Sequence, residues 1–255
     1  MKILIMGPAN PYRGGIAALN ERLALQLKHE GHEVEIINFS LQYPNFLFPG
    51  KTQYTDTKPP EDLKISRYIN SINPLNGIKT GKLLSKKNAD FVIVRFWLPF
   101  MGPSTGTICK FIKKNKKTKI IALVDNLLPH ETRIGDKAFT NYFIKQTDGL
   151  IAMSKSVFDD LDLFRKKQPK KITPHPIYDH YGELLSRDVA LEKLQLDNSF
   201  NYLLFFGFIR DYKGLDILLE AMSFDRIKNL NLKLIIAGEY TQTKLNIRLL
   251  SKRIA

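Results

Sequence analysis

The sequence is nearly free of cysteine. Cys109 is the single one among 255 residues, which excludes an internal disulfide and indicates a reducing compartment such as the cytoplasm. Long hydrophobic runs are also missing, because the most apolar internal stretch, residues 91–102, is short and interrupted by Arg95. The apolar run at residues 2–6 is too short for a secretory signal. We therefore expect a cytoplasmic protein with no membrane span.

Acidic residues are outnumbered. The chain has 39 Lys and Arg against 25 Asp and Glu, a formal net charge of +14, and the excess is concentrated in Lys110–Lys119 and Arg165–Lys171. Two interpretations stay open: solvated helix ends, or a surface that binds an anionic membrane peripherally at its inner face. Nucleic acid is disfavoured, since no aromatic RNA-binding motif, zinc spacing or helix-turn-helix pattern is found.

Strand-like and helix-like patterns alternate along the chain. Short apolar runs predict strands, and amphipathic segments between them predict helices. The predicted strands are 2–6, 33–39, 91–97, 119–124, 149–153, 202–207 and 232–238, and the predicted helices are 16–29, 76–88, 104–115, 136–147 and 213–224. This alternation predicts an α/β fold with a parallel sheet covered on both faces.

The alternation of strand and helix patterns becomes irregular around residues 176–200, and we place a domain boundary there. We expect a complete Rossmann-like domain over residues 1–180, a linker region at 181–200, and the start of a second Rossmann-like domain at 201–255. The second domain looks cut short, because two strands and two helices cannot bury both faces of a sheet. Residues 40–63, rich in proline and aromatics, follow a strand end and are predicted to face substrate.

The first candidate site is the loop between the first strand and the first helix. Gly14 and Gly15 precede an amphipathic helix, and backbone N–H groups at such a helix start attract anions, which glycine allows to approach closely. The sequence is neither a dinucleotide-binding fingerprint nor a P-loop. A phosphate cradle and a ligand-free tight turn both remain open.

The second candidate site is "DNLLPHETR", residues 125–133, directly after a predicted strand. His130 is the candidate acid, base or oxyanion contact, because its ordinary pKa lies near neutrality. The alternative is that Asp125, Asn126 and Pro129 only shape a turn.

The third candidate site is "FFGFIRDYKGLDILLEAM", residues 205–222. Here a strand ends in glycine and a short loop carries Arg210 and Lys213 before a helix begins. Two cations at a strand-to-helix loop are well placed to neutralise a diphosphate. A basic loop with no ligand is the alternative.

These motifs resemble glycosyltransferase family four, a family of retaining enzymes with the GT-B fold. The resemblance is carried by "GG-x-A-x-x-N" (Gly14 to Asn20), "DNLLPHE", "TDGLIAMSKSV" (147–157) and the third candidate site. It implies two Rossmann-like domains, the first recognising a hydroxyl acceptor and the second a nucleotide-sugar donor. It also implies a hexosyltransferase-type reaction that retains anomeric configuration, in surface polysaccharide or glycolipid synthesis, with no metal and no cofactor.

The resemblance also implies roles for individual residues. Gly14, Gly15, Arg210 and Lys213 would bind the donor diphosphate, with Arg210 and Lys213 compensating the charge of the leaving phosphate. The residues expected on the acceptor side are Arg95, Trp97, Asn126, His130 and Glu131, of which His130 is also expected to be catalytic.

Two other functions compete with this one. The family's donor-holding glutamate pair is missing, and no Asp or Glu occurs at 240–255, which favours an inactive truncated remnant or an acceptor-binding module without a donor site. A dinucleotide-dependent oxidoreductase would need a G-x-G-x-x-G sequence after the first strand, and "GPANPYRGG" does not supply it.

Overall fold

Strands and helices alternate along the chain, as the periodicity predicts. The computed structural model describes residues 1–44, 48, 52–129, 133–164, 167–178 and 182–239. The strands are β1 (Lys2–Met6), β2 (Glu33–Leu41), β3 (Lys64–Asn70), β4 (Phe91–Phe96), β5 (Lys119–Val124), β6 (Gly149–Ala152), β7 (Lys170–Ile172), β8 (Asn201–Phe206) and β9 (Leu232–Ala237). The helices are α1 (Gly15–His29), α2 (Pro74–Ser85), α3 (Gly102–Ile112), α4 (Asp136–Ile144), α5 (Lys155–Asp160), α6 (Arg187–Leu194), α7 (Leu215–Met222) and α8 (Asp225–Lys228).

The described residues divide into two compact units, the first within residues 1–178 and the second made mainly of 182–239. The sheet of the first unit has seven strands in the order β3-β2-β1-β4-β5-β6-β7. Every neighbouring pair is parallel, which confirms the predicted parallel α/β sheet. Strands β2 and β3 are added on one side of β1, and β4 to β7 are added on the other side. The direction of the strand order therefore reverses between β1 and β4. Open α/β sheets bind ligands at the carboxyl ends of such strands.

Side chains of the central strands point alternately to two cores. Leu4 and Met6 of β1 belong to the larger core, which also takes in residues of α2, α3 and α4. Ile5 belongs to a smaller core together with Ala24 of α1. The two-residue period of a strand therefore places α1 on one face and α2 to α4 on the other.

The second unit has a two-stranded parallel sheet, β8-β9. Leu215 and Leu219 of α7 pack with Phe205 of β8 in a small core. On the same strand Leu204 is 63% exposed and Phe206 80% exposed. Within the described residues, α7 thus covers one face of this sheet and the other face is open.

The segment 181–200, expected to be a linker, contains a helix. Its described residues include α6, which begins after Ser186, whose hydroxyl accepts a hydrogen bond from the Val189 N–H at 3.5 Å. Leu191 of α6 is buried. This part of the chain therefore adds its own small packed element to the second unit.

Candidate functional site

The loop after β1 leads into a helix whose start is not capped by a side chain. Gly14, at the N-cap of α1, has φ 114° and ψ 168°, and no acidic residue stands in the first turn. That φ is strained for residues with a side chain, and a Cβ at position 14 would have no atom within 4 Å. Gly14 is thus required by its backbone conformation, and the space beside it is open.

Gly15 is constrained by a neighbouring side chain and not by its backbone angle. A Cβ at this position would lie 2.4 Å from the Tyr178 hydroxyl oxygen and 3.3 Å from Tyr178 Cζ. The Tyr178 hydroxyl therefore lies directly against the amino end of α1. An approaching anion would meet this hydroxyl beside the N–H groups of the first turn.

Tyr178 belongs to a segment that crosses the carboxyl edge of the first sheet. The segment starts beside β6, where the Thr173 N–H donates to the Ala152 carbonyl at 2.9 Å. Next along it, the His175 ring stacks obliquely with Tyr178 at 5.6 Å between centroids, and its charge acts on Asp125 at the end of β5. The segment ends at the start of α1. Residues 173–178, which we call the edge segment, thus add an imidazole and a phenol to this edge.

Arg95 and Asp125 form an ion pair at the carboxyl ends of β4 and β5. Arg95 Nε lies 2.6 Å from Asp125 Oδ2, and Arg95 Nη2 lies 2.5 Å from Asp125 Oδ1. The Arg95 side chain is 3% exposed and that of Asp125 19%. Burial raises the pKa of the Asp125 carboxyl above its ordinary value, while the bonds from Arg95 and the charge of His175 act to lower it. Arg95, expected on the acceptor side, is thus buried and engaged with Asp125.

Asn20, the last residue of the first motif, packs under the same loop. Its amide nitrogen donates to the Pro8 carbonyl at 2.8 Å. A Cβ at Gly7 would lie 2.5 Å from that nitrogen and 3.0 Å from Arg95 Cβ. The chain leaving β1 is therefore held between α1 and β4, which fixes where the loop begins.

The long segment after β2 pairs with the same loop. Tyr12 and Tyr54 form an antiparallel bridge, the Arg13 N–H donates to the Gln53 carbonyl at 3.0 Å, and the Thr55 N–H donates to the Pro11 carbonyl at 2.8 Å. The described part of the segment expected to face substrate is therefore bonded to the candidate phosphate loop.

The other residues expected on the acceptor side have separate positions. Trp97 follows β4, and its indole N–H donates to the Tyr43 hydroxyl at 2.7 Å. Asn126 is partly exposed directly after Asp125. His130 and Glu131 lie outside the described residues, so their expected roles remain predictions. Close by in sequence, a surface cavity of 520 Å³ is lined by Leu128 and by Arg133, Gly135, Asp136, Lys137 and Ala138.

In the second unit, the loop from β8 to α7 carries the two predicted cations. Gly207 and Gly214 have φ of 112° and 70°, so glycine begins and ends the loop. Between them a 3-10 turn spans Asp211–Lys213, and the Lys213 N–H donates to the Arg210 carbonyl at 3.0 Å. Lys213 is exposed and Arg210 partly exposed. One turn of backbone thus holds both cationic residues at the carboxyl end of β8.

The lysine clusters lie at the opposite edge of the first sheet. Residues 113–118 lead into β5 and residues 167–169 into β7, and these strands flank β6. Some of the lysines are in ion pairs, such as Lys113 with Asp148 at 2.9 Å and Lys170 with Asp162 at 2.7 Å. Other lysines are exposed and form no ion pair in the described part of the chain: Lys110, Lys116, Lys119, Lys167 and Lys171.

The described residues contain neither a metal-binding cluster nor a membrane-spanning helix. No group of three or more His, Cys, Asp and Glu side chains there is arranged to hold a metal ion. Across the same residues, no helix combines the length and the apolar character that crossing a membrane requires.

The comparisons with known proteins identify the fold. No family profile matches the sequence, and no curated protein matches it. Among solved structures, HepE from Anabaena in complex with UDP and glucose matches with a TM-score of 0.59 at 12% identity, over 98% of this chain and 65% of that one. An alpha-glucosyltransferase in complex with UDP matches with a TM-score of 0.56 at 13% identity, over 100% of this chain and 62% of that one.

A third solved structure has a different activity in its name. UDP-N-acetylglucosamine 2-epimerase from Rickettsia bellii matches with a TM-score of 0.50 at 14% identity, over 100% of this chain and 64% of that one. This chain thus spans less than two-thirds of each of the three. The chain has the α/β architecture of the GT-B fold. Because one fold serves a transferase and an epimerase, the reaction has to be argued from the site.

Proposed function

We propose that this chain is part of a retaining glycosyltransferase of family four, which moves a hexosyl group from a nucleotide-sugar to a hydroxyl acceptor. The observation that carries the proposal is the start of α1, which has no side-chain cap and no acid in its first turn. It follows β1 at the point where the strand order of a GT-B sheet reverses. Such a helix start favours a bound diphosphate.

In the proposed reaction the diphosphate is the leaving group. The bond between the anomeric carbon and the phosphate oxygen breaks, and a bond from that carbon to the acceptor oxygen forms on the same face of the sugar. The acceptor hydroxyl loses its proton to a base, the role we assign to His130. Negative charge accumulates on the departing diphosphate, where Arg210 and Lys213 would stabilise it.

The donor is proposed as a uridine diphosphate sugar. Two of the three neighbours described above are named as complexes with UDP and the third as a UDP-sugar epimerase. The proposal needs no metal and no cofactor, since Gly14 and Gly15 supply backbone N–H groups and the cations supply the charge.

The proposed setting is the synthesis of a surface polysaccharide or glycolipid at the inner face of a membrane. Its support is the lysine-rich edge of the first sheet, which lies opposite the carboxyl edge where substrates would bind. Attached by that edge, the protein would present its substrate site away from the lipid. The acceptor would then be the far end of a lipid-linked glycan rather than its headgroup.

The test uses the protein purified from the cells that make it. The protein is incubated with a panel of UDP-sugars and glycan acceptors, and product is followed by mass spectrometry. We expect Lys213→Ala and Arg210→Ala each to lower kcat about 100-fold, because each removes one group that stabilises the leaving phosphate. Lys193→Ala, on the exposed side of α6 in the same unit, is the matched control. Equal turnover of Lys213→Ala and Lys193→Ala would contradict the proposed role of Lys213.

A second function is an acceptor-binding module that does not transfer sugar. The observation that favours it is that residues 240–255 contain no Asp or Glu, so this segment offers no carboxylate to hold a donor's ribose or sugar. This function predicts binding of a glycan acceptor by the purified protein but no turnover with any donor of the panel.

A further inference from the structure

Buried polar atoms without a partner are concentrated at one edge of the molecule. Five buried side-chain oxygen or nitrogen atoms of the described residues lack a hydrogen bond, and four belong to the carboxyl edge of the first sheet: Asn20 Oδ1, Gln42 Oε1, Gln53 Oε1 and Ser71 Oγ. Folded proteins leave few such atoms, because each has lost its hydrogen bonds to water without gaining others. Their concentration at one edge indicates that ordered water or a ligand supplies the missing hydrogen bonds there.

Three of these atoms surround the end of β2. Gln42 and Tyr43 follow this strand, and the Gln53 amide nitrogen donates to the Tyr43 carbonyl at 3.1 Å. The Ser71 N–H donates to the Leu41 carbonyl at 3.0 Å. Burial raises the pKa of the Tyr43 hydroxyl, while hydrogen bonds with Trp97 and Gln42 act to lower it. Gln42 and Gln53 thus contact Tyr43 itself, while Ser71 is bonded to Leu41, two residues before it.

Aromatic rings form a wall beside these atoms. The Trp97 indole N–H donates to the Tyr43 hydroxyl at 2.7 Å. The rings of Tyr43 and Phe100 stack with 6.4 Å between centroids, and Phe39 meets Trp97 edge-on at 5.9 Å. Tyr43, Trp97 and Phe100 are each partly exposed. Trp97 and Phe100 follow β4, so the wall stands where the strand order reverses.

The charged groups near this wall are already engaged. The Arg67 guanidinium donates to the carbonyls of Phe39 at 3.0 Å and Ser40 at 3.2 Å. Arg95 is held by Asp125. A phosphate or carboxylate would thus meet no available cation among these arginines, whereas hydroxyl donors would meet amide oxygens. Flat apolar rings together with a few orienting polar groups are typical of a small-molecule site.

We propose that Tyr43, Trp97 and Phe100, with the amide oxygens of Gln42 and Gln53, bind a neutral sugar residue of the acceptor. The C–H face of the sugar packs on the rings, and its hydroxyls donate to the two amide oxygens and to Ser71. This inference rests on the proposed function and names its acceptor class, a neutral glycan.

Trp97 is the only tryptophan of the chain, so its fluorescence reports on this site alone. The 255-residue chain is titrated with methyl glycosides of neutral hexoses and, separately, with the matching methyl uronides. We expect a saturable change in tryptophan emission with at least one neutral glycoside, and at least tenfold weaker binding of its uronide. No change with any neutral glycoside, or equal binding of the uronide, would overturn the proposal.

Gln42→Met separates a ligand contact from a structural role. Stability should change little, because losing the hydrogen bond between the Gln42 amide and the Tyr43 hydroxyl is offset by removing a buried oxygen that has no partner. Losing a hydrogen bond to the sugar should weaken its binding about tenfold. Gln26→Met, on the outer part of α1, is the matched control. If Gln42→Met and Gln26→Met bind the glycoside equally, the amide oxygen holds only water or nothing, and the proposal fails.

The same proteins distinguish this inference from the proposed function. Sugar binding that depends on Gln42, without transfer from any donor, would support the sugar site and overturn the transferase. Transfer with the same acceptor KM in the Gln42→Met and wild-type proteins would support the transferase and overturn the sugar site.

Discussion

The Tyr178 hydroxyl oxygen lies 2.4 Å from the position that a Cβ would take at Gly15. The pair joins the last part of the first unit to the start of its first helix. It also gives the two adjacent glycines separate explanations. Gly14 is set by its backbone angle, whereas Gly15 is set by the approach of another side chain.

These explanations predict different responses to mutation. Gly15→Ala should destabilise the protein by about 1 kcal/mol, because Tyr178 has to shift, and Tyr178→Phe should relieve most of that loss by removing the hydroxyl. Gly14→Ala should also cost about 1 kcal/mol or more through its positive φ, but Tyr178→Phe should not relieve it. Urea unfolding of the three single mutants and the two double mutants measures both cycles. Equal relief in the two cycles would show that the Tyr178 contact does not explain Gly15.

The Arg95–Asp125 pair predicts an asymmetry between its two partners. Arg95→Met leaves the Asp125 carboxylate partly buried and unpaired, and should destabilise the protein by about 3 kcal/mol. Asp125→Asn keeps an oxygen that can accept from Arg95 but leaves a buried guanidinium without a counter-charge. Arg95→Met combined with Asp125→Leu should therefore lose less stability than Arg95→Met alone. Chemical unfolding of the set tests this, and a double mutant that loses as much stability as Arg95→Met alone, or more, would contradict it.

Sequence patterns predict the fold well where strands are buried, and poorly at the edges of the sheet. The apolar runs of β1, β4 and β5 are unambiguous because these central strands are covered on both faces. The apolar pattern does not predict the edge strands β3 and β7. In β3 only Ile69 is fully buried, and β7 is three residues within a lysine cluster. Edge strands bury few side chains, so no hydrophobic period identifies them.

The candidate site shows the same limit. The loop glycines and the Arg210–Lys213 loop are local signals, and the sequence locates both. The contact of Tyr178 with Gly15 and the pairing of Arg95 with Asp125 join residues far apart in the chain, so periodicity and spacing carry no information about them. The strand ends were the available signal: Arg95 and Asp125 both stand at the carboxyl ends of predicted parallel strands.

The lysine-rich edge predicts salt-dependent binding to anionic vesicles. The protein should float with phosphatidylglycerol vesicles at low ionic strength and be released by salt, because exposed charges are screened within about 10 Å at 0.1 M. Lys116→Glu with Lys119→Glu should abolish flotation. The control is Lys193→Glu with Arg226→Glu in the second unit, which changes the net charge equally. If both double mutants lose flotation, the binding depends on net charge and not on this edge.

Glu35 in β2 makes the stability of the protein depend on pH. Its side chain is 7% exposed, and burial acts to raise the pKa of its carboxyl. Hydrogen bonds from Lys87, Ser66 and Lys64 outweigh burial, so the pKa is lowered. A lowered folded-state pKa stabilises the protein above the unfolded pKa of about 4.3, and this stabilisation is lost as pH falls through the lower folded value.

Glu35→Gln should therefore destabilise the protein by about 2 kcal/mol at neutral pH, and the difference from wild type should shrink as the pH falls below about 4.3. Glu33→Gln is the control, because Glu33 is 70% exposed and pairs with Lys2 at the surface, where an ion pair contributes little. Thermal unfolding at stepped pH gives both curves. A Glu35→Gln loss that stays constant down to acid pH would mean that Glu35 acts through packing and not through its charge.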